Sequence, residues 1–188
     1  MKIKKFVLII PNTAWFEKRY WHNFPYTEAL LMAVLKQNGY DADIIDANIN
    51  NYNEDELKQK IIEANPEIIG ISVMALEYRD CVHKSFEIIK KADSNIITLV
   101  GGIYPTLCQE IVTKDKNIDY FIFGEGENRL PLLLKAIETG KGFDEIDGLG
   151  FRKNNELVIN PIKEKNAVNV DNLPLPDYSK FDMKRYTN

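Results

Sequence analysis

Five short apolar runs alternate with helical patterns along this chain, and that alternation constrains its fold more than any other feature. The runs are Lys5–Ile10 (KFVLII), Asp41–Asp46 (DADIID), Ile68–Met74 (IIGISVM), Ile96–Val100 (IITLV) and Tyr120–Phe123 (YFIF). All but the second lack the polar alternation of a half-exposed strand, which suits a parallel sheet buried on both faces. Between the runs, Tyr26–Asn38 carries Leu30, Ala33, Val34 and Gln37 at helical spacing before Gly39. Asn53 with Glu56 predicts a capping box that opens a helix over Leu57, Ile61 and Ala64, stopped by Asn65-Pro66. Glu77–Lys91 repeats the period through Tyr78, Cys81, Ser85 and Ile88, and Asn128–Thr139 through Leu130, Leu133, Leu134 and Ile137. Pro105, after Gly101-Gly102, stands where a first helical residue belongs.

The order is α/β, a flavodoxin-like (Rossmann-like) doubly wound five-stranded parallel sheet with strand order 2-1-3-4-5. Such a sheet binds ligands at the carboxyl ends of its strands, here in a crevice between the first and third. The loops reaching that edge are Pro11–Pro25, Ser72–Leu76, Gly101–Tyr104 and Gly124–Glu127. Two of them are glycine turns with few side chains, a floor for something large and flat. The first holds Trp15, Phe16, Tyr20, Trp21, His22 and Phe24, either a lid packed on its own aromatics or a pocket lining. Beyond Lys141 the pattern changes. Ile146–Arg152 and Glu156–Asn160 read as a hairpin, and Pro161–Asn188, with Pro174 and Pro176, as a linker. The expected division is a sheet domain over 1–140, then hairpin and linker over 141–188.

Several function classes are disfavoured. Lys+Arg of 24 against Asp+Glu of 28 gives a net charge of −4, no electrostatic case for nucleic acid or an anionic membrane. No apolar run approaches the roughly 18 residues of a membrane span, and MKIKKFVLII reads as a first strand rather than a signal peptide. Cys81 and Cys108 fit a reducing cytoplasm and have no metal-ligand spacing. The sequence PNTAWF after the first strand lacks the glycine turn of a dinucleotide site, and Gly124-Glu125-Gly126 has Arg129 where the third glycine belongs. Thr13 alone is poor material for a flavin phosphate loop. Asn12 and Ser72 stand near the places where a phospho-acceptor domain needs carboxylates. Neither His22 nor His83 has a sequence neighbour suggesting a triad, and Glu125/Glu127 reads equally as a charge pair at a helix N-terminus. No catalytic residue is assigned.

An ordered set of motifs carries a resemblance. It comprises Ile71-Ser72-Val73-Met74, Val100-Gly101-Gly102-Ile103-Tyr104-Pro105-Thr106, Gly124-Glu125-Gly126-Glu127, Gly148-Leu149-Gly150-Phe151-Arg152 and Asp171-Asn172-Leu173-Pro174-Leu175-Pro176-Asp177. With these the chain resembles the N-terminal cobalamin-binding domain of cobalamin-dependent radical SAM enzymes. The resemblance implies that the corrin lies across the strand ends and that the dimethylbenzimidazole tail enters the sheet crevice. Ser72 would contact the tail, Gly101 and Gly102 would leave it room, and Met74, Tyr104, Gly124 and Gly126 would pack beside it or under the ring. Asn12, Val73, Ile103 and Glu125 complete the implied contact set.

Two departures shape the expectation. The Asp-x-His-x-x-Gly motif of histidine-ligated corrinoid proteins is missing, since Tyr20 and Pro25 flank His22 in its place. Cobalamin is therefore expected base-off, with no protein histidine on cobalt. The Cys-x3-Cys-x2-Cys cluster motif is also missing, so an iron–sulfur cluster and S-adenosylmethionine would belong to a barrel domain outside this sequence. The chain would then be a truncated or stand-alone cobalamin module, not itself catalytic, of a methyltransferase or related radical enzyme. Two other readings are a cofactor-free interaction module and a flavodoxin-like domain for another nucleotide ligand.

Overall fold

The computed structural model describes residues 2–18, 20, 24–153, 156–163 and 168–187. In chain order the elements are β1 (Phe6–Ile10), α1 (Tyr26–Gln37), β2 (Ala42–Asp46), α2 (Glu54–Ala64), β3 (Ile68–Val73) and α3 (Arg79–Ala92). Then follow β4 (Ile97–Gly102), α4 (Ile103–Leu107), α5 (Gln109–Val112), β5 (Tyr120–Ile122), α6 (Gly126–Thr139), β6 (Leu149–Lys153) and β7 (Glu156–Ile159). The sheet order is β2-β1-β3-β4-β5-β6-β7. Its first five strands are parallel, in the order 2-1-3-4-5 that the alternation predicts.

Among the described residues the sheet has seven strands rather than five. Leu149, Gly150 and Phe151 of β6 pair antiparallel with Ile122, Phe121 and Tyr120, and β7 pairs antiparallel with β6. Without β6, the edge of the short strand β5 would present unpaired backbone groups to solvent. The turn residues Asn154 and Asn155 lie outside the described residues.

Helices cover both faces of the parallel sheet. Val7 and Ile9 enter one core with Leu57 and Ile61 of α2 and Val82 and Phe86 of α3. Phe6 and Leu8 point the other way, to Leu31 and Leu35 of α1 and Leu130, Leu133 and Leu134 of α6. The predicted capping box is present: Glu56 N donates to Asn53 Oδ1 at 3.0 Å, and Asn53 N to Glu56 Oε2 at 2.8 Å. Pro105 is the third residue of α4, not the first, because the helix begins directly after Gly102.

Helix α1 departs further from expectation. Every residue from Glu28 to Leu35 is buried, whereas Gln37, expected inward, is exposed. A helix apolar on all sides needs cover on all sides, and the segment read as a linker supplies it. Asp177 N donates to Ala29 O at 2.9 Å, Lys36 Nζ pairs with Asp177 Oδ2 at 2.9 Å, and Phe181 packs on the α1–α6 core. The same segment holds part of the first loop, for Phe24 packs against Tyr178 and Tyr186 at ring distances of 5.2 and 6.2 Å. Trp15 donates Nε1–H to Tyr52 O at 3.0 Å. Trp21 and His22 lie outside the described residues.

One ion pair joins α6 to the hairpin. Arg129, 4% exposed, donates from Nη2 to Asp147 Oδ2 and from Nε to Asp147 O, both at 2.7 Å. Removing one member strands the other charge in a low dielectric, whereas removing both does not. We expect Arg129→Leu to lower unfolding free energy by about 3–5 kcal/mol in urea titrations, and Arg129→Leu with Asp147→Leu to cost less than that.

Candidate functional site

The site is built from the turn that ends β4. Gly102 has φ +96°, and a Cβ there would lie 2.6 Å from Val73 O and 2.8 Å from Val73 N, so no other residue fits without moving backbone. The chain passes directly from strand to α4, which brings Thr106 back over the turn. Thr106 Oγ1 donates to Gly102 O at 2.7 Å and accepts from Gly124 N at 2.8 Å, tying the glycine turns after β4 and β5 together. Arg129 Nη1 donates to Glu125 O and holds the second turn from behind.

Gly101 serves differently. A Cβ at that position would meet only Ile122, 3.7 Å from its Cβ and 3.9 Å from its O, ordinary contact, so what its missing side chain leaves is space. That space is part of a cavity of about 370 Å³ on the α1–α6 side of the sheet. Leu8, Leu99 and Ile122 line it from the strands, and Leu31 of α1 and Leu130 of α6 from the helices. Met74, Ile103 and Leu107 also line it and stand 42%, 41% and 69% exposed, an apolar rim open to solvent. Glu125 and Glu127 contribute the charged lining residues.

Of the residues predicted for the site, Ser72, Met74, Gly101, Gly102, Ile103, Gly124, Glu125 and Gly126 line this cavity. Three do not. Val73 is buried in the opposite core. Asn12, 2% exposed, spends its amide on Asn51 Oδ1 and Tyr52 O and accepts from Ala14 N, fastening its own loop. Tyr104 is fully buried on the α2–α3 side, its hydroxyl 2.7 Å from His83 Nε2, while His83 Nδ1 is hydrogen-bonded to Asp115. Alternation along α4 sends Tyr104 inward and Ile103 outward, which a run of quoted residues does not show. Burial pushes the Asp115 carboxyl up, but hydrogen bonds from His83 and Asn117 outweigh it and hold the group below its ordinary value.

The cavity reaches from β1 to β5 rather than sitting between the first and third strands, because the space comes from Gly101 on β4. Thr27, Leu31, Thr106 and Leu130 are among the lining residues that sequence reasoning missed. For Thr106 a signal existed: a hydroxyl residue four positions after a glycine that ends a strand can return to that glycine's carbonyl. Among the described residues no group of three or more His, Cys, Asp or Glu could hold a metal ion, and no helix is long and apolar enough to cross a membrane. Burial pushes the Cys81 thiol up to about 11, far from a reactive thiolate.

A smaller cavity of about 80 Å³ adjoins the first through Ser72 and Met74. Pro11, Thr13 and Pro25 of the first loop line it, together with Glu28 of α1 and Asp46 at the end of β2. None of the described aromatic rings of that loop lines either cavity.

The family model described as "B12 binding domain" matches residues 20–134. The chain belongs to the B12-binding domain family. The matched part of this B12-binding domain contains every lining residue of the main cavity except Leu8. Among proteins of similar sequence, an uncharacterized methyltransferase of Pyrococcus horikoshii is 26% identical over 99% of this chain and 40% of its own length. The anaerobic magnesium-protoporphyrin IX monomethyl ester cyclase of Rubrivivax gelatinosus is 26% identical over 86% of this chain and 30% of its own. The B12-binding domain thus spans less than half the length of these relatives. Its fold is similar to that of the cobalamin-dependent S-adenosylmethionine radical enzyme OxsB with aqua-cobalamin and S-adenosylmethionine bound. There the TM-score is 0.72 and identity 21%, over 98% of this chain and 25% of that one. For the radical S-adenosylmethionine methyltransferase TsrM from Kitasatospora setae, with cobalamin and a [4Fe-4S] cluster bound, the TM-score is 0.70 and identity 20%, over 86% and 31%.

Glu28 gives this domain a pH signature. Burial raises its carboxyl from 4.5 to about 7; its own backbone N–H pulls the other way, and the charge of Asp46 adds a lesser push upward. The folded state holds this proton more tightly than the unfolded one. The contribution is therefore intact below pH 4.5 and is lost as pH rises through about 7. We expect Glu28→Gln to stabilise the protein above that range by up to about 3 kcal/mol and to change it little at low pH. Urea titrations of both proteins across the range check this.

Proposed function

We propose that this chain is the cobalamin-binding module of a radical SAM enzyme, its parent acting in methyl transfer or related radical chemistry. The observation that carries this reading is an apolar cavity whose floor lacks a Cβ at Gly101, opening onto an apolar rim of Met74, Ile103 and Leu107. A flat heteroaromatic base suits the cavity, and a broad macrocycle suits the rim. The dimethylbenzimidazole tail would enter between Leu31 and Leu130, with Ser72 at its polar edge, and the corrin would cover the exposed side chains. Bound there, cobalamin supplies a cobalt centre that can take up and pass on a methyl group.

With the tail in the sheet, cobalt would be base-off. His83 is engaged by Asp115 and Tyr104 on the α2–α3 side, away from the cavity. The cluster and S-adenosylmethionine would be held by a separate barrel domain, a reading supported by TsrM with its [4Fe-4S] cluster and OxsB with S-adenosylmethionine, of which this chain covers 31% and 25%.

The test is titration of the chain with hydroxocobalamin, followed by gel filtration and the visible spectrum. We expect co-elution with a base-off spectrum. A Cβ at Gly101 meets Ile122 only at ordinary contact distance, so Gly101→Leu, which fills the cavity, should keep its melting temperature and lose affinity by about tenfold or more. Gly102 is unsuited to this test, because any side chain there strikes Val73. Unchanged affinity in Gly101→Leu would sink the placement of the tail. Absence of co-elution in the wild-type chain would favour the docking module instead.

A further inference from the structure

The smaller cavity lies where β1, β2 and β3 end, against the main one, and its wall holds a carboxyl group with little to bind. Glu28 is 9% exposed and lines this cavity. Its carboxyl accepts from its own backbone N–H. Among the described residues no other group donates to it. Its polar neighbours are occupied elsewhere. Asn48 Oδ1 takes both Thr13 N at 2.9 Å and Thr13 Oγ1 at 2.7 Å, and Asp46 Oδ1 takes Ile49 N at 2.8 Å. Arg185, from the C-terminal segment, gives its guanidinium to Ile49 O and Asn50 Oδ1. A buried carboxyl without an external partner carries a desolvation cost that a bound polar group would relieve.

We propose that the smaller cavity is a carboxamide subsite, in which Glu28 as a neutral acid pairs with one peripheral carboxamide of the corrin. The acid O–H donates to the amide oxygen and the acid carbonyl accepts an amide N–H, a two-point match. The proposal rests on the cobalamin reading above. Three features select this chemistry. A cavity of about 80 Å³ has room for two or three water volumes, about the bulk of one carboxamide. The field of Asp46 opposes a second carboxylate and favours the neutral form of Glu28. Ser72 and Met74 line both cavities, so a ligand seated in the larger one has a short path into the smaller.

Besides Asp46, the ionisable groups facing this region are Tyr78 after β3, Tyr186 and Arg185 of the C-terminal segment, and Tyr20, which lies in the field of Asp46. The test is a hydroxocobalamin titration of the 188-residue chain with its Glu28→Gln and Glu28→Leu variants at about pH 6 and about pH 8.5. Glutamine offers a donor and an acceptor at every pH, so it sets the baseline for any pH effect of the ligand itself. Relative to Glu28→Gln, the wild type should lose about tenfold in affinity on going to the higher pH, as its donor ionises. Glu28→Leu should bind about tenfold more weakly than Glu28→Gln at both values while keeping its circular dichroism spectrum. A corrinoid with a single side-chain carboxylate in place of the docked amide should bind the wild type more weakly than hydroxocobalamin does. If all three proteins bind hydroxocobalamin alike at both pH values, the subsite is overturned and the cobalamin module stands. If the wild type binds none at either pH, both readings fall.

Discussion

The contact on which the site depends is the approach of two backbones, Gly102 against Val73. At φ +96° the glycine turns β4 into α4 with no intervening loop, and a Cβ would sit 2.6 Å from a carbonyl oxygen. Because the turn is so short, α4 starts over the carboxyl edge of the sheet, and its fourth residue, Thr106, can bridge to Gly124. The two glycine loops thereby become one surface. Gly101 beside it then leaves a gap in that surface, and the gap is the cavity.

Polar groups elsewhere hold this arrangement rather than take part in it. Arg129 binds the second glycine turn on one side and Asp147 on the other, so the hairpin and the site share one buried guanidinium. The Tyr104–His83–Asp115 chain holds the first turn from the opposite face. Each tie uses charged or strongly directional hydrogen bonds in a poorly hydrated setting, where they position groups more firmly than apolar packing does. Glu28 has no such tie, and that contrast singles it out as a group with something still to bind.

Much of the fold was legible. Short apolar runs between helical patterns identified the parallel strands, four of the five without polar alternation, because a strand buried on both faces has no room for it. Asn53 and Glu56 fixed the start of α2, since capping depends on residues three apart and nothing distant. The glycine turns pointed to the ligand edge for the same local reason. Gln37 is exposed, and Asn12 and Tyr104 lie off the main cavity, because their environment is set by partners remote in sequence: Asp177 over α1, Asn51 and Tyr52 under the first loop, His83 behind the β4 turn.

By itself, then, the sequence determined the alternation of elements, the parallel order of five strands, the side-chain-poor loops and the family resemblance. All of these rest on periodicity, backbone freedom and ordered motifs, which are written along the chain. Tertiary structure alone decided that the hairpin becomes two more strands of the sheet and that the presumed linker lies along α1. It also decided which neighbours in a quoted motif face the cavity, and that Glu28 and Asp46, 18 positions apart, share one small chamber. The physical reason is that burial and charge act through space. A carboxyl reads as solvated in a sequence until the fold places apolar walls and a second carboxylate around it.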